Sequence, residues 1–344
     1  MSLNNTACYY LSTEEAEAFV YSTTETVLIT VFLPVVSAIG ILLNAAFLFT
    51  VYRVEDMRTT TNIYLANLAV ADEMLLVIRL ANYLGRYLYL PIRYSVTPFT
   101  NRFICGTPLL LIFLFSFASV FFISLVAFER YMAICRPSIH RQTNSRTRAF
   151  RLSLMSWIAS LVIVACHSGS FSISKYCFIF PTAPKVLMHI LISFRSELSF
   201  QSMTIIDSCQ FLLACIGNCS LYVCIVRRLN RRQARNTSRE RNYVAKMLAI
   251  NACVFFICMA PIQITNLVDL HFEIFGSTGD FLGWIAVVTA SLNSTINPLI
   301  YNVVNPDYRK AFRRAFTKRQ RSPLVKYIVR RRSSQLDREE ECPS

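Results

Sequence analysis

The chain has 344 residues, of which 54% are hydrophobic and only 16% are charged, and its formal net charge is +15. Soluble domains usually carry about 25% charged residues, so this composition excludes an ordinary soluble protein and places much of the chain in lipid. A basic chain could bind nucleic acid, but the positive charge is concentrated between apolar segments, which indicates membrane topology and no nucleic-acid partner.

The N-terminal segment over residues 1–25 is polar and acidic and lacks the basic and apolar regions of a cleavable signal peptide. We therefore expect the first spanning helix to act as its own insertion signal. Asn4 begins a glycosylation sequon in this segment. Further sequons at Asn218, Asn236 and Asn293 would lie in the membrane or the cytosol, which leaves Asn4 as the candidate glycosylation site.

Seven apolar segments follow, and their lengths suit helices that cross about 30 Å of hydrocarbon. They lie at about 27–52, 62–85, 104–135, 152–168, 202–227, 244–268 and 281–304. The third has no charged residue between 109 and 128 and continues directly into Glu129 and Arg130. At a rise of ~1.5 Å per residue, Cys105 and Arg130 are about 37 Å apart and lie at opposite membrane faces.

Basic residues are concentrated in the first, third and fifth connections and in the tail after residue 305. The positive-inside rule therefore places the N-terminus outside and the C-terminus in the cytosol. Seven crossings also require the termini to lie on opposite sides, so the two arguments agree. The predicted fold is an all-α membrane protein, a bundle of seven transmembrane helices followed by a short amphipathic eighth helix.

Two segments outside the spanning helices carry structure of their own. In the long fourth connection, at about 169–199, two short strand-like stretches surround Ser174-Lys175 within 171–180, which predicts a hairpin. Asn305-Pro306 predicts the start of an amphipathic helix on the cytosolic surface. The predicted organisation is an extracellular tail at 1–25, the bundle at 26–304, the amphipathic helix at 305–317 and a disordered cytosolic tail at 318–344.

Asp72 lies in the middle of the second span, and an intramembrane carboxylate is a functional candidate by default. Polar residues of other spans lie at similar depth, namely Asn44, Ser119, Asn293, Ser294 and Asn297. Their oxygen atoms suit a hard cation, and the alternative is a structural polar network without an ion. Pro261 and Pro298 lie inside the sixth and seventh spans and predict kinks that allow movement.

Cys105, at the outer end of the third span, and Cys177, in the fourth connection, both face the oxidising side. A disulfide between them would hold the connection over the bundle, and Cys8 in the outer tail is a rival partner. The remaining cysteines lie mostly inside helices and show no metal-binding spacing.

With these motifs in this order, the chain resembles the rhodopsin-like (class A) G-protein-coupled receptors over essentially its whole length. Within that family it is most similar to the small-neuropeptide receptors. The matching residues are Asn44, Leu68-Ala69-Val70-Ala71-Asp72, Cys105 with Cys177, Glu129-Arg130-Tyr131 with Pro137, Trp157, Tyr222, Phe255 and Cys258 with Pro261, and Asn297-Pro298-Leu299-Ile300-Tyr301. The resemblance implies the disulfide between Cys105 and Cys177. It also implies a sodium site at Asp72, Ser119 and Asn293, with Ser294 beside them, and no other cofactor.

The chain departs from the family pattern at three positions. Met259 stands where the family usually has a tryptophan, and Ala214 stands where the fifth helix usually has a proline. Arg241 replaces an acidic residue that in some members pairs with the motif arginine. The resting state is then expected to depend on a contact between Glu129 and Arg130.

The resemblance implies a receptor and not an enzyme. A ligand would bind in the outer half of the bundle, and the sixth helix would swing outward about Pro261. Arg130 would leave Glu129 and contact a heterotrimeric G protein, with Tyr222 and Tyr301 closing behind it. Arrestin, a receptor kinase and membrane lipid are the further expected partners, and the expected location is the plasma membrane.

The pocket residues narrow the ligand class. Ile112 stands where amine receptors have an aspartate, and Ser291 stands near the position of the retinal lysine, so amines and retinal are excluded. The candidate ligand-binding residues are Arg79, Asn82, Ile112, His167, Asp207, Gln263 and Asn266. The opposite charges of Arg79 and Asp207 favour a short peptide, and the alternative is that Arg79 pairs with an internal carboxylate or that Asp207 faces a neighbouring helix. The alternatives are an odorant or other small molecule on the same fold and, less favoured, a seven-helix transporter.

Overall fold

The computed structural model describes residues 8–89, 92, 102–167, 172–181, 186–192, 197–233, 239–272 and 277–317. The sequon at Asn4 and the tail at 318–344 lie outside these residues. The side chains of Cys105, His167 and Cys177 also lie outside the described part, so the disulfide and the ligand contact of His167 stay predictions.

Seven long helices run through the described residues, as the sequence predicts. The first is continuous from Thr23 to Arg53 and consists of α2 (Thr23–Val27), a π-helical turn (Leu28–Phe32) and α3 (Leu33–Arg53). The other six are α4 (Thr60–Tyr89), α5 (Arg102–Cys135), α7 (Arg146–His167), α8 (Glu197–Gln233), α9 (Arg239–Phe272) and α10 (Ser277–Val304). Three short helices complete the set: α1 (Thr13–Phe19), α6 (Pro137–Thr143) and α11 (Pro306–Phe316).

Five of the long helices are long and apolar enough to cross a membrane. They contain the stretches Thr23–Arg53, Gly106–Cys135, Arg146–Cys166, Thr204–Leu229 and Ala245–Val268. α4 and α10 carry buried polar residues, among them Asp72 and Asn297. Apolar side chains such as Leu42 and Leu213 are about as exposed as surface residues, 70% and 71%, which fits a bundle surrounded by lipid.

α3, α4 and α5 pack on one another in chain order, α7 packs on α4 and α5, and α8 packs on α5 and α9. α10 closes the bundle by packing on both α9 and α3. α5 lies at the centre, because it contacts α4, α7, α8 and α9. The main apolar core lies between α4, α5 and α10 and includes the fully buried side chains of Leu68, Phe122 and Tyr301. This packing brings the polar residues of α4, α5 and α10 into one interior.

A three-stranded sheet lies at one end of the bundle, which we call the sheet end. β1 (Cys8–Tyr10) pairs in parallel with β2 (Ser172–Ile179), and β2 pairs antiparallel with β3 (Val186–Ile192). The hairpin of the fourth connection is therefore present, but the predicted turn at Ser174-Lys175 is wrong. Residues 172–179 form one continuous strand, and Pro181, which cannot continue the ladder, lies between β2 and β3 in the chain.

The fourth long helix begins at Arg146, earlier than the predicted residue 152. Ser145 caps it, since its hydroxyl accepts a hydrogen bond from the Arg148 backbone N–H at 3.1 Å. The first turns of α7 carry the basic residues Arg146, which is exposed, and Arg148, so hydrophobicity does not indicate where this helix begins.

Candidate functional site

Asp72 is fully buried in the middle of the bundle and connects α4 to α10. Its Oδ2 accepts a 2.6 Å hydrogen bond from Asn297 Nδ2, inside the segment of α10 that contains Pro298. Asn44 Nδ2 on α3 donates to the Ser294 carbonyl and to the Gly40 carbonyl, each at 2.9 Å. Four of the polar residues that the sequence places at this depth are thus linked across three helices.

Several buried oxygen atoms in this region have no hydrogen-bond partner among the described residues. They are Asp72 Oδ1, Ser119 Oγ, Asn293 Oδ1 and Ser294 Oγ, together with the amide oxygens of Asn44 and Asn297. A buried oxygen without a partner costs free energy, roughly 1–3 kcal/mol each, so the set favours a bound group that supplies the missing interaction. Carboxylate, hydroxyl and amide oxygens suit a hard cation such as sodium. No described contact joins Ser119 or Asn293 to Asp72.

Arg130 lies at the end of the bundle opposite to the sheet end, and its side chain binds α4. Its guanidinium donates a hydrogen bond to Thr61 Oγ1. Glu129 Oε1 lies instead 3.5 Å from His140 Nδ1 on α6. The expected contact between Glu129 and Arg130 is absent from the described residues. The reason is geometric: adjacent residues of a helix point in different directions, so the two side chains face different neighbours.

Two further side chains join Arg130 at this end. Tyr308 of α11 donates its hydroxyl hydrogen to Asn62 Oδ1, and Asn62 Nδ2 donates to the Met57 carbonyl at 2.7 Å. Burial raises the pKa of Tyr308 to about 12, which keeps it a hydrogen-bond donor at neutral pH. Thr61 and Asn62 are adjacent, so the first turn of α4 binds α5 and α11 side by side. We call Thr61, Asn62, Arg130 and Tyr308 the Arg130 cluster.

Sequence reasoning missed three members of this cluster. Thr61 and Asn62 lie at the start of the least apolar span and belong to none of the motifs that the sequence shows. Tyr308 lies in the predicted amphipathic helix, where its ring stacks on Phe47, with centroids 6.2 Å apart and 8° between planes. The hydroxyl group that distinguishes tyrosine from phenylalanine at this position is the one sequence feature that could have indicated a polar partner.

The other predicted switch residues are buried or half-buried in the bundle. Tyr301 is 1% exposed and packs on Phe47, with ring centroids 5.2 Å apart. Met259 is buried in an apolar cluster with Phe255 on α9, the helix that contains Pro261. Tyr222 and Tyr131 are half-buried and pack against Ile134, Ile225 and Ala245.

The predicted ligand residues lie toward the sheet end and are only partly brought together. Asp207 Oδ2 on α8 accepts hydrogen bonds from Gln263 Nε2 at 2.7 Å and Asn266 Nδ2 at 3.4 Å on α9. Arg79 on α4 is 4% exposed, and its Nη1 has no hydrogen-bond partner among the described residues. Asn82 and Ile112 are half-buried.

The structure adds Glu25 to this end of the bundle. Its carboxylate is 5% exposed and accepts hydrogen bonds from Trp284 Nε1 at 2.9 Å and from the Ser22 backbone N–H at 2.7 Å. Trp284 in turn contacts the ring of Tyr83, with centroids 5.6 Å apart. The sequence assigned Glu25 to an acidic tail, because it cannot show that this carboxylate faces the seventh span.

The amino-acid sequence is similar to those of known membrane receptors. A family model described as "7 transmembrane receptor (rhodopsin family)" matches residues 43–301. The Bombyx mori allatostatin-A receptor is 27% identical over 83% of this chain and 78% of its own length. The Rattus norvegicus somatostatin receptor type 1 is 23% identical over 84% of this chain and 71% of its own. The Rattus norvegicus neuromedin-U receptor 2 is 26% identical over 80% and 71%, respectively.

Proposed function

The chain belongs to the rhodopsin family of seven-transmembrane receptors, and from this premise we propose that it binds an extracellular short peptide and activates a heterotrimeric G protein. The N-terminus and the sheet end face the outside in this proposal, and the Arg130 cluster faces the cytosol of the cell. The plasma membrane is the proposed location. Arrestin and a receptor kinase are proposed partners on the cytosolic side.

The single observation that carries the peptide assignment is the state of Arg79. A guanidinium that is buried with an unpaired nitrogen is costly, because it has lost water without gaining a full set of acceptors. A ligand carboxylate would supply these acceptors in a charge-assisted, two-pronged hydrogen bond. Asp207 on α8 carries the opposite charge and accepts hydrogen bonds from α9. The receptor names of the relatives, allatostatin-A, somatostatin and neuromedin-U, support the same class of ligand.

The proposed mechanism is a two-state equilibrium that is biased from both ends of the bundle. In the resting state, Arg130 is bound to Thr61. Ligand binding at the sheet end favours a state in which α9 has swung outward about Pro261 and Arg130 has left α4. The G protein binds the exposed guanidinium, with Tyr222 and Tyr301 packing behind it.

A sodium ion is a proposed regulator of this equilibrium. Asp72, Ser119 and Asn293 would hold it, and it would supply the positive charge that offsets the buried carboxylate. The unpaired oxygens of these three residues support the assignment.

The test uses the purified receptor, reconstituted with G protein, and a library of short peptides with free or blocked C-termini. An agonist should accelerate nucleotide exchange, and Arg79→Gln should raise its half-maximal concentration roughly 10- to 100-fold, as expected for a lost charged hydrogen bond. Arg151→Gln removes one positive charge from the exposed surface of α7 and serves as the matched control.

Three results would contradict parts of this proposal. Agonism by apolar odorants that is unaffected by Arg79→Gln would replace the peptide assignment with a small-molecule one. Solute uptake or ionic current without nucleotide exchange would favour a transporter. Normal agonism by an Arg130→Ala variant would refute the proposed role of the Arg130 cluster.

A further inference from the structure

Two adjoining cavities open between α8 and α9 on the outer surface of the bundle. Their volumes are about 620 Å³ and about 480 Å³. Both are lined by Tyr222, Val226, Ala249, Cys253 and Ile257. We call this continuous depression the α8/α9 groove. Val226 is 48% exposed and Ile257 is 71% exposed, so the groove faces lipid and not the interior of the bundle.

The walls of the groove are almost entirely apolar, but a basic residue from each helix lines it. Arg227 belongs to the first cavity and Lys246 to the second. Both side chains are exposed, and the ion pairs within the described part of the chain join other residues. Two cations at an apolar groove, without an acidic partner among the described residues, are complementary to an anion that carries a long apolar group.

The dimensions fit one leaflet of a bilayer. Along α8 the groove extends from Cys215 to Leu229, which is about 21 Å at ~1.5 Å per residue. Half of a hydrocarbon core of about 30 Å is about 15 Å, so the groove spans one leaflet and reaches its headgroup region. Arg227 lies closer than Tyr222 to the C-terminal end of α8. The proposed topology places this end of the helix at the cytosolic surface.

We infer that the α8/α9 groove binds an anionic phospholipid of the cytosolic leaflet, whose acyl chain fills the apolar walls and whose phosphate contacts Arg227 and Lys246. A sterol or a neutral lipid could fill the walls but would leave the two cations without a counter-charge. Arginine and lysine beside a membrane helix are the side chains that attract anionic headgroups.

The groove is connected to the switch through Tyr222. This residue lines both cavities, packs against the apolar clusters of α5 and α9, and lies close enough to Arg130 to interact with it electrostatically. A ligand favours the state to which it binds more tightly. The groove has this shape while Arg130 is bound to Thr61, so the lipid holds α9 in the resting position. This regulatory effect rests on the proposed function, whereas lipid binding itself does not.

The test measures lipid binding and nucleotide exchange separately on the full-length receptor in lipid nanodiscs. Retention of a labelled phosphatidylserine in a phosphatidylcholine background is read by native mass spectrometry. Arg227→Gln combined with Lys246→Gln should lower its affinity roughly 10- to 30-fold, the effect expected for two basic residues at a membrane surface. Ala249→Phe fills the groove while it preserves both cations, and it should also displace the lipid. Arg151→Gln on α7 is the matched charge control and should retain it.

The outcomes separate the two proposals. Loss of retention in both groove variants, with retention in the control, supports the lipid site even if no nucleotide exchange is detected, in which case the proposed function fails alone. Equal retention in all variants, or displacement of the label by cholesterol at equal concentration, overturns the lipid site. Ligand-free nucleotide exchange should rise when phosphatidylserine is omitted or when the groove variants are used.

Discussion

At the scale of single residues, Gly40 shows how one missing atom sets the spacing of three helices. A Cβ at this position would lie 2.4 Å from Leu76 Cδ1 and 2.5 Å from Thr295 Oγ1. Thr295 cannot move aside freely, because its hydroxyl bonds the Ser291 carbonyl at 3.0 Å and the Val36 carbonyl at 3.3 Å. α3, α4 and α10 therefore meet at the one turn where α3 has no side chain, just below Asn44.

We predict that Gly40→Ala destabilises the receptor although alanine favours helix formation. Overpacking costs roughly 1–3 kcal/mol, which exceeds the gain in helix propensity of about 1 kcal/mol. The measurement is the thermal unfolding midpoint of the purified receptor in one detergent. Gly85→Ala in α4 is the control, since no atom lies within 4 Å of its added Cβ, and it should be neutral or slightly stabilising. Equal shifts for both variants would contradict the close approach.

Asn44, Asp72, Ser294 and Asn297 form what we call the polar centre of the bundle. These residues could be identified from the sequence, but the partner of Arg130 could not. Asp72 and Asn297 lie in motifs whose depth in the membrane follows from counting along a helix, and they are hydrogen-bonded. The partner of Arg130 depends on how α4 and α5 cross and on which way each side chain points. Glu129 is adjacent in sequence but faces α6, while Thr61 is distant in sequence and faces Arg130.

At the scale of elements, α11 is attached to the start of α4 through a hydroxyl and a ring. Asn305 caps α11, since its side chain accepts a hydrogen bond from the Asp307 N–H at 2.9 Å. Arg309 Nη1 donates to the Val303 carbonyl at 2.6 Å at the end of α10. α11 is therefore fixed to α10 at its beginning and to α4 through Tyr308, which makes it a brace across the Arg130 cluster.

We predict that Tyr308→Phe raises ligand-free nucleotide exchange about fivefold or more. The change preserves the ring stacked on Phe47 but leaves Asn62 Oδ1 buried without a donor, which costs the resting state about 1 kcal/mol or more. Tyr52→Phe removes the hydroxyl of an exposed tyrosine on α3 and is the control. Unchanged exchange combined with a lower unfolding midpoint would assign Tyr308 to stability alone.

The elements themselves were predictable where an apolar run determines them. Polar or basic residues begin α7, and a proline-containing turn ends β2, so the boundaries of both depend on caps and pairing that hydrophobicity does not report. The pairing of β1 with β2 is also beyond sequence reasoning, because a three-residue strand is specified only by the partner strand it meets.

At the scale of the whole molecule, the polar centre lies between the ligand residues and the Arg130 cluster. Its hydrogen bonds join α3, α4 and α10, and α10 also packs on α9, the helix proposed to move. A cation bound at this centre would therefore influence both ends of the bundle.

We predict that sodium lowers agonist affinity in the unmodified receptor and that Asp72→Asn abolishes this effect. The amide has similar shape but lacks the charge that attracts the ion. The measurement is agonist competition binding in sodium chloride against potassium chloride at equal ionic strength, which separates ion binding from screening. Persistence of the sodium effect in Asp72→Asn would place the ion elsewhere.

The sheet at the sheet end has a consequence for how long a bound ligand stays. β1 pairs with β2 and precedes the first long helix in the sequence, while β3 contacts α5. The strands therefore extend across the bundle from one side to its centre. The Leu11 N–H donates to the Ile179 carbonyl at 3.0 Å, which extends the pairing of β1 by a residue. In the proposed function, a peptide bound at the sheet end would have to displace these strands to leave. Occupancy should therefore persist after the surrounding peptide is washed away, and the duration of a signal would be set by strand separation as much as by the contacts in the pocket.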